Sequence, residues 1–267
     1  RQSVVHRSRT RPGVRSQRAS DSLFQMNILV WATTFGADLW SMTRFLSRQP
    51  GITVKVVMGA PSAFLAQPVA RLFPLDVELV SRRFYHAYTG IPFFRPDVTL
   101  LDNWLPGRAL SPKGLMLWHG FGWGAGTDAR GFANLFENLR NTWGDIQRPN
   151  PRFRWQCFGP TDFGYRTTQS GIAADNCLVL GAASHDDLRR PVARSALASA
   201  YPFDIGNRKT VLIAPTWAYG EMFSHWGDHL DLLATLVQRI AGLGANTILR
   251  LHDRFRFDAA HQAAIAH

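Results

Sequence analysis

Three short stretches of this sequence end an apolar run on side chains that can move a proton or hold an anion. The first, Leu-Met-Leu-Trp-His-Gly at 115–120, runs on through Phe-Gly-Trp-Gly-Ala-Gly to residue 126. A buried strand over its apolar residues would deliver His119 to the strand's carboxyl end, where open α/β sheets bind their ligands. Gly120, Gly122, Gly124 and Gly126 would let the following backbone come close to that ligand. An imidazole titrates near neutrality, with an unperturbed pKa of about 6.5, so His119 could take a proton from an attacking hydroxyl. The glycine-rich loop could also present amides to phosphate, although its spacing is neither that of a Walker loop nor GxGxxG.

The second stretch, Val-Leu-Ile-Ala-Pro-Thr-Trp at 211–217, reads as a strand stopped by Pro215. That stop leaves Thr216 and Trp217 at the sheet's edge, where a hydroxyl and an indole can meet a ligand; a core role for Trp217 is the competing reading. In the third, Ile-Leu-Arg-Leu-His-Asp-Arg at 248–254, strand alternation puts Arg250 and His252 on one face. A guanidinium beside an imidazole at a strand terminus makes an anion clamp, because guanidinium grips phosphate oxygens in bidentate fashion. The bland alternative is a surface pairing of Arg250 with Asp253. His225 and His229 have the i, i+4 spacing of a metal pair but no third ligand and no His-Glu-x-x-His context, so no metal and no cofactor are expected. The absence of a Gly-x-Ser-x-Gly elbow argues against a serine hydrolase.

The elements that must position these residues alternate between short β-branched apolar runs and helix-like stretches, the pattern of a parallel sheet covered on both faces. Strands are predicted at 27–32, 53–58, 77–80, 98–101, 115–118, 155–158, 177–180, 210–214 and 247–251. The clearest helix is 228–243, with Leu232, Leu233, Leu236, Val237 and Ile240 on one stripe and Gly242 and Gly244 as stop signals. With the strands on either side it forms a βαβ unit, whose crossover should be right-handed. Between 187 and 209 the pattern weakens around Pro191, Pro202 and Gly206, with a short Ala/Ser-rich helical piece.

The expected division is a basic, disordered arm at 1–25, a Rossmann-like domain at 26–190, a linker at 191–209 and a second domain beginning at 210–267. The chain starts on Arg1 rather than Met and stops within a helix-like run, so it is expected to be a fragment with its second domain incomplete.

A formal charge of +11 over 267 residues suits nucleic acid, anionic lipid or polyphosphate as partner. Residues 1–25 hold six arginines against the single acid Asp21, a net +5 that leaves only +6 for the rest. Such an arm is a solvated tail or a segment drawn to anionic headgroups, each base near such a surface contributing about 1 kcal/mol. No apolar run approaches the roughly 20 residues of a membrane-spanning helix, and no secretory segment follows the arginines. Cys157 and Cys177 are too few and too far apart for a disulfide framework or a close metal pair, which implies reduced, buried thiols in a cytoplasmic protein.

Taken in order, the motifs from about residue 26 to 267 resemble the CDP-glycerol glycerophosphotransferase family, the teichoic-acid and capsule polymerases. That family's Trp-His-Gly is matched by Trp118, His119 and Gly120, its Ala-Pro-Thr-Trp by Ala214 to Trp217, and its Arg-x-His by Arg250 and His252. Its Gly-Tyr-Pro-Arg-Asn-Asp segment looks like 181–186, which would give Asp186 a place at the site. The departures are Phe121, Gly122, Trp123 and Gly124 for Thr-Pro-Leu-Lys, Ala182, Ala183 and Ser184 for Tyr-Pro-Arg, Ala218 for an arginine, and Asp253 for a proline. They mark a divergent member.

The resemblance implies two Rossmann-like domains of GT-B type, acceptor side first and nucleotide-donor side second. It implies transfer of glycerol phosphate, or a related polyol phosphate, from a CDP-activated donor to a hydroxyl of a cell-surface polymer or lipid-linked primer. His119 would be the base and His252 the donor-pyrophosphate contact, with Arg250, Thr216, Trp217 and Gly120 around the donor and Trp118 and Asp186 nearby. It also implies cell-envelope biosynthesis and a cytoplasmic protein lying peripherally on the inner face of the membrane. The rival readings are a GT-B glycosyltransferase using a nucleotide sugar and a basic nucleic-acid-binding protein. No recognised nucleic-acid motif accompanies the charge, so nucleic acid is not the expected partner.

Overall fold

The computed structural model describes residues 25–33, 35–67, 70, 72–102, 105–117, 129–201, 203–214 and 230–250. Its organising element is β1 (Met26–Trp31), whose last four residues, Ile28 to Trp31, are apolar and buried on both faces. A strand of that kind belongs inside a parallel sheet layered on both sides. Around it stand β2 (Ile52–Met58), β3 (Glu78–Ser81), β4 (Val98–Leu101), β5 (Lys113–Met116), β6 (Phe153–Cys157) and β7 (Cys177–Val179). Their order is β3-β2-β1-β4-β5-β6-β7, every neighbouring pair parallel. The register runs Ile28 to Val54 and Val98, and Leu101 to Met116. The chain reverses its direction of travel across the sheet between β1 and β4, the switch point at which Rossmann-like sheets open a crevice beyond their carboxyl ends.

Alternation along the strands sorts the apolar residues into two cores. Ile28, Val30, Val54, Val56 and Leu100 face one way and pack with Leu39 and Trp40 of α1 (Ala37–Leu46) and Phe64 of α2 (Pro61–Leu65). Leu29, Trp31, Val57, Leu101 and Met116 face the other way. They meet Tyr85 of α3 (Arg82–Ala87), Phe136 and Leu139 of α4 (Ala129–Thr142), and Trp143. The Ser81 hydroxyl accepts the Phe84 N–H at 3.1 Å and so starts α3 at the carboxyl end of β3. In α5 (Pro160–Thr168), proline at the first position and a buried Asp162–Arg166 pair at 3.2 Å hold the helix against β6, with the guanidinium 5.6 Å from the Trp155 ring centre. Then follow α6 (Ala183–Leu188), packed on α1, and α7 (Arg194–Ala200).

A second, two-stranded sheet pairs β8 (Thr210–Ile213) with β9 (Asn246–Leu249) in parallel, with α8 (Leu230–Gly242) between them in sequence. The expected βαβ pattern is therefore present. Its stripe is only partly covered: Ile240 is buried, whereas Leu236 is 40% exposed.

Several boundaries are corrected. The strand expected at 115–118 begins at Lys113, because Gly114 pairs with Phe153 and its missing side chain lets the Phe153 and Trp143 rings close over it. The strand expected at 155–158 begins at Phe153, the charge of Arg154 having hidden two residues of it. The last strand runs Asn246–Leu249 rather than 247–251, and residue 251 lies outside the described residues. Within the expected linker, the Ala/Ser-rich piece is α7. Cys157 and Cys177 are both free and buried. The hydrogen bond with Cys177, then burial, push the Cys157 thiol far above its usual value and keep it protonated. No helix among the described residues is long and apolar enough to cross a membrane.

Candidate active site

The carboxyl edge of the seven-stranded sheet is built by the residues that follow β1, β3 and β4. Asp102, immediately after β4 and 2% exposed, accepts the N–H of Thr33 through Oδ2 at 2.8 Å and so ties the end of β4 to the end of β1 across the switch point. From the end of β3, Arg82 swings over the same edge. Its Nη2 donates to the carbonyl of Ala32, and its guanidinium carbon lies 5.4 Å from the centre of the Trp31 ring. Trp31 in turn meets Tyr85 and His86 edge-on, at centroid distances of 5.5 and 5.8 Å.

The electrostatics follow from this packing. Burial pulls the Arg82 pKa below its ordinary value and the Asp102 carboxylate opposes that pull. The Arg82 Nε is buried with no hydrogen-bond partner among the described residues. A cation held half out of water with a donor unspent is suited to an anionic oxygen, since charge-assisted hydrogen bonds strengthen where water is excluded. On the far side of Trp31, burial pushes the Tyr85 phenol up while Arg108 pulls it back down. The turn from β1 into α1 is strained as well: Ala37 has φ +45°, a left-handed conformation that alanine rarely takes and that tends to persist at functional sites.

A separate polar network fastens the segment at 181–186. Asp38, in the first turn of α1 and 3% exposed, accepts the Ser184 N–H at 2.9 Å, the Ser184 hydroxyl at 2.5 Å and the Gln156 amide at 2.7 Å. Gln156 also donates to the Gly181 carbonyl at 2.6 Å, and Gly181 itself has φ +74°, a conformation glycine takes without strain. Here the chain uses its serine to anchor α6 on α1. Asp186 is exposed and lines an open cleft of about 390 Å³ with Arg44, Arg48, Asp187 and Arg190.

Of the residues singled out from the sequence, Trp118, His119, Gly120, Thr216, Trp217 and His252 lie outside the described residues, as do His225 and His229. The described part of the first motif ends on Leu117, whose N–H donates to Leu101 at 2.7 Å and extends the β5 edge beside β4. Arg250 stands just past β9, exposed, its N–H donating to Ile213 at 2.8 Å. It therefore belongs to the carboxyl end of the second sheet, while Asp186 belongs to α6 beside the first. Sequence reasoning missed Asp102 and Arg82. Asp102 directly follows an apolar strand and could have been found by the rule that singled out His119; Arg82 depends on tertiary packing that no local pattern reveals. Among the described residues no cluster of three or more His, Cys, Asp or Glu side chains could hold a metal ion.

No model of a known protein family matches the chain, and no curated protein does. Solved structures do. The wall teichoic acid polymerase TagF aligns with 85% of this chain at 12% identity and a TM-score of 0.53, covering 56% of the TagF chain. A histidine-to-alanine variant of TagF aligns with 86% at 11% identity, covering 57% of its chain, again with a TM-score of 0.53. A histidine-to-asparagine variant soaked with CDPG gives the same score at 11% identity. At these identities the likeness is one of fold, and the chain spans little more than half the length of the TagF chains it matches.

Proposed function

We propose that this chain is the acceptor side and the beginning of the donor side of a transferase that moves a polyol phosphate, glycerol phosphate in the first instance, from a CDP-activated donor to a hydroxyl. The observation that supports the reading is the switch point of the seven-stranded sheet, where the half-buried Arg82 cation reaches the end of β1 and Asp102 ends β4, the strand paired with the β5 segment that precedes His119 in sequence. The TagF fold likeness and the order of the Trp-His-Gly, Ala-Pro-Thr-Trp and Arg-x-His motifs support it.

In this mechanism His119 takes the proton of the acceptor hydroxyl. The hydroxyl oxygen attacks the phosphorus that carries glycerol, and the bond from that phosphorus to the oxygen bridging to CMP breaks in line, its electron pair leaving with CMP. Arg250 and His252, together with Thr216 and Trp217, stabilise the charge that grows on the departing phosphate. Positioning and charge stabilisation supply most of the acceleration in phosphoryl transfer, so no covalent intermediate is needed.

Incubating the full chain with CDP-glycerol, CDP-ribitol and a set of UDP-sugars, and identifying the nucleotide released, tests the reading. CMP from a CDP-polyol is the expected product. UDP from a UDP-sugar alone would assign the fold to glycosyl transfer, and no turnover with any donor would leave the proposal without its activity.

A further inference from the structure

The cleft of about 390 Å³ between α1 and α6 lies on the flank of the first sheet, away from the switch point. α1 leaves the carboxyl edge after β1 and runs back toward the start of β2. At 1.5 Å per residue, Arg44 therefore stands roughly 9 Å down the flank from Asp38, and Arg48 follows the end of the helix.

Arg44 is the buried member of the lining. It is 8% exposed, and its guanidinium carbon lies 4.6 Å from the centre of the Trp40 ring and 4.9 Å from that of Phe73. The two rings meet edge-on at 5.7 Å and hold the cation between them. Arg44 Nη1 donates to Asp187 Oδ1 at 3.2 Å, while Arg44 Nε and Asp187 Oδ2 are buried with no hydrogen-bond partner among the described residues. A buried ion pair is well compensated only when its remaining donors and acceptors are satisfied, and this pair keeps a spare of each.

Two more cations share the cleft. Arg190 approaches the same Asp187 oxygen at 3.7 Å, so one carboxylate serves two guanidinium groups. Arg48 is exposed and has no ion-pair partner among the described residues. Burial pulls the Arg44 pKa below its ordinary value; Asp187 opposes that pull, and the charges of Arg48 and Arg190 add to it. Three arginines crowded on one carboxylate lack an anion. The other acid of the lining, Asp186, is exposed and can accept from hydroxyl groups, and the exposed side chains of Phe45 and Leu180 supply an apolar wall.

We propose that this cleft binds a small hydroxylated phosphomonoester, its phosphate held by Arg48 and Arg190 against the buried Arg44, its hydroxyls donating to Asp186 and its carbon skeleton lying on Phe45 and Leu180. The volume suits a molecule of that size. Guanidinium groups grip phosphate oxygens in bidentate fashion, and a phosphomonoester near neutrality carries close to two negative charges. The site does not depend on the reaction proposed for the crevice at the switch point.

Titrating inositol monophosphate, inorganic phosphate and inositol into the full chain by calorimetry tests the proposal. Inositol monophosphate should bind more tightly than inorganic phosphate, and inositol should give no heat at the same concentration. Arg48→Gln and Arg190→Gln should each weaken the monophosphate about tenfold, the loss of one charge-assisted contact, with the urea midpoint unchanged because both side chains are exposed. Asp186→Asn should strengthen inorganic phosphate, by removing a like charge, and cancel the advantage of the ester. Arg82→Gln should leave the affinity as it was, which separates this cleft from the switch point. Undiminished affinity in both Arg48→Gln and Arg190→Gln, a loss on Arg82→Gln instead, equal affinity for the ester and inorganic phosphate, or no heat from either anion at about 10 mM would overturn the proposal.

Discussion

β1 and β8 are short apolar strands of one kind, and the structure treats them differently. Leu29 and Val30 in β1 have no exposed surface, while Leu212 in β8 is 61% exposed and Val211 38%. Local pattern made both segments strands; the layers around them made only one of them a core. The seven-stranded sheet has helices on both faces and a cluster of buried residues on each. The described part of the second sheet has two strands and α8, with Ile240 buried and Leu243 85% exposed. A two-stranded sheet is marginal by itself. The side chains of β8 and α8 nevertheless have the composition of a buried βαβ unit.

The sharpest way to probe the difference is to damage the first sheet's core. Asp162→Ala would leave Arg166 charged and buried beneath Trp155, both side chains of the pair being fully buried in the native chain. Removing one partner of a buried pair costs about 3–5 kcal/mol, so the urea midpoint should fall steeply, and a shift near zero would mean that water already reaches this pair. Gly114→Ala comes next. A Cβ there would stand 2.7 Å from Phe153 Cδ2 and 3.0 Å from Trp143 Cε2, and overpacking of this kind costs about 1–3 kcal/mol. Smallest is Leu212→Thr in the second sheet, expected to change stability by no more than about 0.5 kcal/mol because its side chain is already in water. A cost as large as that in the first sheet would show that Leu212 is covered and would erase the contrast.

Much of the fold was legible because parallel strands announce themselves as apolar runs: 98–101 was placed without error, and β1, β2 and β7 within a residue at each end. Errors gathered where a strand residue is not apolar. Lys113 and Gly114 concealed the start of β5, and Arg154 concealed the start of β6. The short helix α3 has six residues, too few for a periodic signal, and with it went Arg82. In the segment at 181–186 Ser184 is drawn inward by Asp38, a contact across 146 residues that no local pattern reveals. Arg250, expected within the last strand, lies one residue past β9, and Asp186 is exposed on α6; Trp118, His119, Gly120, Thr216, Trp217 and His252 lie outside the described part of the chain, and the roles of all these residues stand as proposals.

The most direct test of the proposed chemistry is CMP release from CDP-glycerol by the full chain, measured beside His119→Ala and His252→Ala. We expect turnover in the native protein and a fall of at least about a hundredfold in each variant, the usual size of a general-base or charge-stabilising contribution. Undiminished release in both variants would contradict the assignment of the two histidines to the reaction.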